Sequence, residues 1–413
     1  MIGDRVPVID EQAIDLGFAE SKKFDFEKLR TCLQCGTCSS SCPTYFAMDI
    51  SPRQLWRMVS LGMKQEISQY STFWLCTACN SCTVRCPRGI PVSDSMRKVR
   101  EWVISDKVQE PPLPLVTLKD TILRSHNMMG DDNETRLIWG ANLPGGLATP
   151  KRQAEVLWFV GCVSSFYPMA YKIPQSMVQI LGKSGIDFTL MGGQEWCCGF
   201  PLFTGGMSDQ VEALGRHNLE HAHATGAKTL ITTCASCYHT WKHIYPEMLS
   251  GFPKDLEVLH ATEYIARLVE TKQIKLGKVD RLITYHDPCD LGKRNNIFDE
   301  PRYVLQSIPG IELREMANHH NNSLCCGGGG NVEAFSPDTV SEASKNRLEQ
   351  AQATGAQVIV SACQQCMRTF FNGARKNKIR IQATDFTQIV LESLESAQLA
   401  DQPVVVSTIQ PNG

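Results

Sequence analysis

Eighteen cysteines carry most of the chemistry open to this 413-residue chain. They fall into four groups: Cys32, Cys35, Cys38 and Cys42; Cys76, Cys79, Cys82 and Cys86; Cys162, Cys197, Cys198, Cys234 and Cys237; and Cys289, Cys325, Cys326, Cys363 and Cys366. None falls outside these groups, so none is spare for filling a core. Thiols grouped this way point to metal binding or redox work. A disulfide framework is a poor alternative, because Met1-Ile-Gly-Asp-Arg-Val-Pro-Val-Ile-Asp10 lacks the basic start and apolar stretch of a secretory signal.

The short groups each read C-x2-C-x2-C-x3-C-P, ending at Pro43 and Pro87. This is the run of bacterial two-cluster ferredoxins: a tight loop offers three thiolates to one [4Fe–4S] cluster, and the fourth cysteine crosses to the other. One centre would use Cys32, Cys35, Cys38 and Cys86, the other Cys76, Cys79, Cys82 and Cys42. Two four-cysteine zinc sites are the alternative, although zinc ribbons pair CxxC with CxxC and lack the third evenly spaced cysteine and the Cys-Pro. The long groups each read C-x(34 or 35)-C-C-x(35 or 36)-C-x-x-C. Adjacent cysteines fit neither one corner of a compact cubane nor a mutual disulfide. Five thiols suggest a more open iron–sulfur unit with a bridging thiolate. A four-cysteine cluster with a spare thiol, or a zinc site with a redox pair, remains open on spacing alone.

The elements that must hold these thiols are legible as a duplication. Matching cysteines of the two long groups are offset by 127 to 129 positions, and His223-Ala-Thr-Gly-Ala-Lys-Thr-Leu-Ile-Thr-Thr-Cys-Ala-Ser-Cys237 aligns with Gln352-Ala-Thr-Gly-Ala-Gln-Val-Ile-Val-Ser-Ala-Cys-Gln-Gln-Cys366. Apolar runs at 156–160, 229–233, 281–285 and 358–361 read as buried strands ahead of cysteines. Helices are expected over 209–225 and 338–354, with Gly226 and Gly355 placed where a helix end favours a left-handed residue. Strand, loop, helix, strand implies α/β domains with largely parallel sheets and cysteines on loops at strand ends. The first ~110 residues read as helical between their cysteines, for example over 52–61 and 92–103. Pro111-Pro112-Leu-Pro114 and Gly140-Ala-Asn-Leu-Pro-Gly-Gly146 bracket a linker expected to wrap the surface, and the tail from Gln398 to Gly413 reads as frayed. The fold class is therefore α+β overall. A mostly helical two-cluster ferredoxin-type domain (1–110) and a linker (111–154) precede two duplicated α/β domains (155–275 and 276–396) and a tail (397–413).

Bulk composition narrows the function. The chain carries 41 Lys and Arg against 43 Asp and Glu, a net charge of −2. It has no basic field for nucleic acid or anionic lipid and no acidic tail. No apolar run reaches the ~20 residues that span a bilayer, so a cytoplasmic location is expected, with membrane association only through a partner.

Cys197-Cys198-Gly199 and Cys325-Cys326-Gly327 are CCG signatures, and the chain resembles the heterodisulfide reductase superfamily over about residues 25–395. The resemblance extends to Cys32-Leu-Gln-Cys-Gly-Thr-Cys38, Ser51-Pro-Arg53, Trp74-Leu-Cys76 and Arg85-Cys-Pro-Arg-Gly-Ile90, and the fusion of both parts is similar to the family's fused catalytic subunits. It implies a noncubane [4Fe–4S] cluster at each complete five-cysteine site. Two such clusters would together split a disulfide, with Cys198 and Cys326 as the catalytic positions. Flavin-linked glycolate and glycerol-3-phosphate dehydrogenase subunits are also similar, but their CCG sites are often incomplete, whereas both are complete here.

Gly327-Gly-Gly-Gly330 has no Lys-Ser/Thr after it and is not a phosphate loop. Cluster packing suits it better than substrate recognition. His286-Asp287-Pro288 reads either as a proton or hydrogen-bond donor or as a strand-end turn. Lys293 and Arg294 read either as holders of an anionic substrate or as solvated surface charge. His217, His221, His223, His239 and His243 read as helix-face residues, and His319-His320 as loop. No G-x-G-x-x-G follows a strand, so no flavin or NAD is expected on this chain. Electrons would come from flavin- or iron–sulfur-containing subunits of a larger complex, with a membrane cytochrome subunit among the candidates. Two functions fit: reduction of a small-molecule disulfide, or electron transfer without a substrate, serving a flavin dehydrogenase, a quinone-linked system or a benzoyl-CoA reductase-type complex. A zinc-dependent scaffold is the third and weakest.

Overall fold

The computed structural model describes residues 14–20, 24–143 and 148–400. The leader reading at residues 1–10, the tail beyond Ala400 and residues 144–147 of the Gly-rich bracket lie outside the described residues. The first segment is helical around its cysteine loops. The helix Pro52–Leu61 starts where Ser51 Oγ accepts the Gln54 N–H and Gln54 reaches back to the Ser51 backbone, with Pro52 at the position that needs no donor. It buries Leu55, Trp56 and Val59 on one face. The helix Val92–Ser105 buries Met96, Val99, Trp102 and Val103 at helical spacing against the same core.

Two parallel sheets follow. The first has strands β1 Val156–Phe159, β2 Phe188–Thr189, β3 Thr229–Thr232 and β4 Glu257–His260 in the order β2-β1-β3-β4. The second has β5 Arg281–His286, β6 Ile311–Leu313, β7 Val358–Ser361 and β8 Gln382–Asp385 in the order β6-β5-β7-β8. Their registers correspond: Phe159 lies opposite Thr232 in one sheet and His286 opposite Ser361 in the other. Of the central strands, β1 (Val-Leu-Trp-Phe) and β7 (Val-Ile-Val-Ser) are nearly continuous apolar runs and are buried along their whole length, as strands covered on both faces require. The expected helices span Val211–Ala224 and Pro337–Ala353, and Gly226 and Gly355 sit just beyond them at φ +67° and +78°. The edge strands leave no mark in the sequence: β2 and β6 are too short, and β4 and β8 too polar at their starts, to show a pattern. Each sheet reverses its strand order between its two central strands, β1/β3 and β5/β7. The loops leaving those strands carry Cys162, Cys234, Cys289 and Cys363, the position where open parallel sheets hold ligands.

The segment expected to wrap the surface does more than that. It forms the helix Leu113–Ser125 and sends Arg136 and Trp139 fully into the interior, where Arg136 pairs with the buried Glu195 at 2.9 Å. Burial favours such an anionic partner for a guanidinium, and the partner lies 59 residues ahead. A second buried arginine, Arg100, joins all three parts. Its donors reach the carbonyls of Phe73 (2.8 Å), Trp74 (2.9 Å) and Cys76 (2.6 Å) in the ferredoxin-type segment, Thr204 (2.7 Å) in the first sheet domain and Gly330 (3.2 Å) in the second.

Candidate iron–sulfur sites and the interdomain cleft

The eight N-terminal thiols gather around two adjoining cavities. Cys32, Cys35, Cys38 and Cys86 line one; Cys42, Cys76, Cys79 and Cys82 line the other, with Cys38 on the wall between them. Each set therefore takes three cysteines from one loop and the fourth from the other. Cys35 is exposed and lies beside Leu33, which is 66% exposed, so the first cavity opens to solvent. The second is deep, and burial pushes the Cys42 thiol up to about 12.

The five-cysteine groups are almost entirely buried. In the first, Cys198 and Cys237 sulfurs are 3.5 Å apart, and Gly199 N–H donates to Cys197 Sγ at 3.4 Å. In the second, Cys326 and Cys366 sulfurs are 3.5 Å apart, and Gly327 and Gly328 N–H groups donate to Cys325 (3.3 Å) and Cys326 (3.5 Å). The two groups meet: hydrogen bonds with Cys237 and then Cys363 draw the Cys234 thiol down to about 5. The second group also meets the ferredoxin-type segment, where hydrogen bonds with Cys289 and Cys325 hold the Cys79 thiol well below its ordinary range. Sulfur sites thus neighbour one another from the solvent-facing cavity at Cys35, across Cys38, to Cys79, Cys289, Cys325, Cys326, Cys366, Cys363, Cys234, Cys237 and Cys198. Thiols this crowded and dry have little to bond but one another, and all-sulfur donor sets suit soft metals and iron–sulfur centres.

The tetraglycine explains the contact with Cys79. A Cβ on Gly329 would overlap the Thr77 carbonyl, and one on Gly330 the Cys76 carbonyl. The loop can lie against the neighbouring cysteine loop only because it has no side chains. In the first half, the matching stretch instead begins the helix Phe200–Thr204.

A cleft of about 280 Å³ lies between the sheet domains. All five thiols of the first group line it, with Met128, Met129 and Phe200. The second domain contributes Gly328–Gly330, Gln364, Gln365 and Arg368, but none of its thiols. Arg368 is the only cation on this wall among the described residues, and it faces Glu333 at 3.5 Å. Gln364 crosses the domain boundary, donating to the Val160 carbonyl (2.6 Å) and Thr233 Oγ1 (2.9 Å) while its carbonyl accepts the Ser164 N–H (3.1 Å). The sequence marks it as a departure from the repeat, which has Ala235 at the same place.

Several single residues read differently in three dimensions. Lys293 and Arg294 are neither solvated nor free for an anion. Lys293 is buried and donates to Ser81 Oγ at 2.8 Å; Arg294 bonds Asp94 (3.0 Å), Ser93 and the Ala78 carbonyl. Both dock the second sheet domain on the ferredoxin-type segment. His286 is fully buried beside Cys326 and Cys366 rather than in a turn. Asp287 is held by Arg302 at 2.7 Å. His217 lies on its helix as expected, but its ring and that of His126 stack on the two faces of Trp196, at 3.5 and 3.6 Å between centroids. His221 caps that stack, while His223 and His243 are exposed. Burial pulls the His239 imidazole down to about 3.

Residues 28–90 match the 4Fe-4S dicluster domain, and residues 156–242 and 283–371 each match the cysteine-rich CCG domain. Over 393 residues the chain is 32% identical to one component of the dihydromethanophenazine:CoB–CoM heterodisulfide reductase of Methanosarcina barkeri, covering 89% of this chain and 94% of that protein. It is also similar to the EtfAB:quinone oxidoreductase of Syntrophomonas wolfei (25% identical, 88% of this chain, 58% of the relative). A third relative is a component of the fumarate reductase (CoM/CoB) of Methanothermobacter marburgensis (28% identical, 83% and 67%). Among the described residues no helix is long and apolar enough to cross a membrane.

Proposed function

We propose, for a chain that belongs to the heterodisulfide reductase family and is an iron–sulfur oxidoreductase component, that it reduces a small thiol disulfide in the cleft between its sheet domains. The observation that carries this reading is the succession of neighbouring sulfur sites from the surface at Cys35 to Cys198 on the cleft wall. In this proposal Cys32, Cys35, Cys38 and Cys86 hold one [4Fe–4S] centre, and Cys42, Cys76, Cys79 and Cys82 a second. Each five-cysteine group holds one noncubane centre. When bound, these centres supply single electrons and an iron surface that attracts sulfur. The protein supplies the rest. Met128, Met129 and Phe200 give the cleft an apolar lining, and Gln364 hydrogen-bonds across the boundary between the two domains. Cys198 and Cys326 are the positions assigned to catalysis, Cys198 on the cleft wall and Cys326 not among the cleft-lining residues. A flavin- or iron–sulfur-containing partner would dock near Leu33 and Cys35 to deliver electrons. A membrane cytochrome partner in the same complex would tether an otherwise cytoplasmic chain.

Electron transfer without a substrate is the second reading, favoured by the similarity to a quinone oxidoreductase. The anaerobically purified chain, reduced with a viologen, separates the two. Thiol release from added disulfides supports reduction in the cleft; reduction of the centres without thiol release from any disulfide supports the conduit.

The cofactor assignment makes its own predictions. Four [4Fe–4S] centres require about 16 irons per chain, so metal analysis of anaerobic protein should approach that number. A content near 8, or substantial zinc, would mean the CCG sites are not iron–sulfur sites. Cys42→Ala is expected to remove the centre of Cys76, Cys79 and Cys82 and spare that of Cys32, Cys35 and Cys38 in electron paramagnetic resonance spectra. The opposite pattern would assign the fourth ligands without the crossing.

A further inference from the structure

The two five-cysteine sites come from one duplicated design, so differences between their surroundings are informative. Several positions differ in kind around the sulfurs, Glu195 against Ser323 and Ala235 against Gln364 among them, and three of them give the second half a basic side chain. His286 stands where the first half has Phe159, Lys293 where it has Phe166, and Arg347 where it has Asn218. All three residues of the second half are buried.

Their hydrogen bonds fix what they can do. Arg347 Nε has only a proton to offer and gives it to His286 Nδ1 at 3.0 Å. His286 Nδ1 is therefore an acceptor, and the imidazole proton lies on Nε2. That Nε2 has no other partner among the described residues, and a ring nitrogen of His286 lies within 4.8 Å of the Cys326 and Cys366 sulfurs. The remaining Arg347 donors go to neutral acceptors: the Asn318 carbonyl (2.7 Å), Gln350 Oε1 (2.9 Å) and Ser323 Oγ (3.3 Å). The nearby carboxylates of Asp287 and Glu315 are both engaged by Arg302. Lys293 likewise bonds Ser81 Oγ and the Ser323 carbonyl rather than an acid. In the first half the buried cation, Arg136, reaches Cys162 Sγ at 3.9 Å, but its charge is matched by Glu195 at 2.9 Å, and Phe159 can donate nothing to Cys198. Buried cations without an acid of their own favour an anion beside them.

We infer that the second CCG site is the more easily reduced of the two and stores the first of the two electrons that a disulfide needs. His286 would act directly on the Cys326 thiolate, with Arg347 as the residue that positions its proton. The inference rests on the reading that both sites hold iron–sulfur centres. A one-electron reductant gives one electron to the second site, and no bond breaks. A second electron follows, and the disulfide then takes two electrons and two protons and leaves as two thiols. The order suits the architecture: the second site touches Cys79, where electrons arrive, and the first lines the cleft.

The test is a mediated redox titration of the full anaerobic chain, followed by electron paramagnetic resonance and by iron content. The wild-type chain should show two CCG centres at separate potentials. His286→Phe, which copies the first half, should shift the higher one at least tenfold against reduction, about 59 mV for one electron, with iron content and the other centres unchanged. His286→Gln, whose amide can still donate, should restore most of the shift. Phe159→His should raise the lower centre, which keeps the test decisive if the His286 variants lose iron. Coincident potentials in the wild type, or His286→Phe and Phe159→His that move neither centre, would overturn the inference. Separate potentials without disulfide turnover would retain it and remove the proposed function. Turnover with coincident potentials would do the reverse, and a chain with about 8 irons would end both.

Discussion

Cys198→Ser and Cys326→Ser are each expected to abolish disulfide reduction while the ferredoxin-type centres remain reducible. Serine nearly matches cysteine in volume, so packing around these buried positions, 4% exposed in both cases, should survive. What changes is the ligand: a hydroxyl is a hard donor where the site offers only soft ones. Turnover should fall on the order of 100-fold or more, beyond the effect of losing an outer hydrogen bond to a metal ligand. Cys198 lies on the cleft and Cys326 does not, so the pair also tests whether both halves are needed. A conduit requires one route, whereas a reductase needs two electrons at the substrate together. Near-normal turnover in either variant, measured with a viologen and the same disulfide, would end the two-site reductase reading and leave the chain an electron carrier.

Gly330→Ala is expected to cut communication between the ferredoxin-type segment and the sheet domains. The residue has φ +60°, where an alanine is strained by about 1–2 kcal/mol. Its new Cβ would also overlap the Cys76 carbonyl, which Arg100 already holds at 2.6 Å. Backbone on both sides leaves no flexible side chain to yield, so overpacking adds about 1–3 kcal/mol. The domains should separate locally, at the point where Cys79 meets Cys289 and Cys325. The readout is kinetic: reduction of the Cys32 and Cys76 centres should keep its rate, while electron arrival at the CCG centres slows at least tenfold in rapid-mixing spectroscopy. Unchanged transfer would mean that electrons reach the sheet domains by another contact.

Legible from the residues alone were the sulfur groups, the duplication, the four central strands and the two long helices that follow the CCG motifs. These are local patterns: cysteine spacing lies within one loop, and a fully buried strand shows as an apolar run whatever it packs against. The sequence also carried the departures from the repeat, since His286, Lys293, Arg347 and Gln364 stand out once the halves are aligned, but it could not say what they face. Edge strands of two or three residues, and strands that begin with Glu257 or Gln382, have no pattern to read. It took the folded arrangement to make Lys293 and Arg294 buried docking residues, to gather carbonyls from three domains around Arg100, and to bring Arg136 to Glu195. Such partners lie from 24 to more than 200 residues apart in sequence, and the stability of a buried charge depends on what surrounds it in space. The same holds for the asymmetry of the two CCG sites. Identical motifs gave each half the same thiols, but one half was packed against the cysteine loop at Cys79 and the other opened on the cleft, because four glycines let two backbones touch.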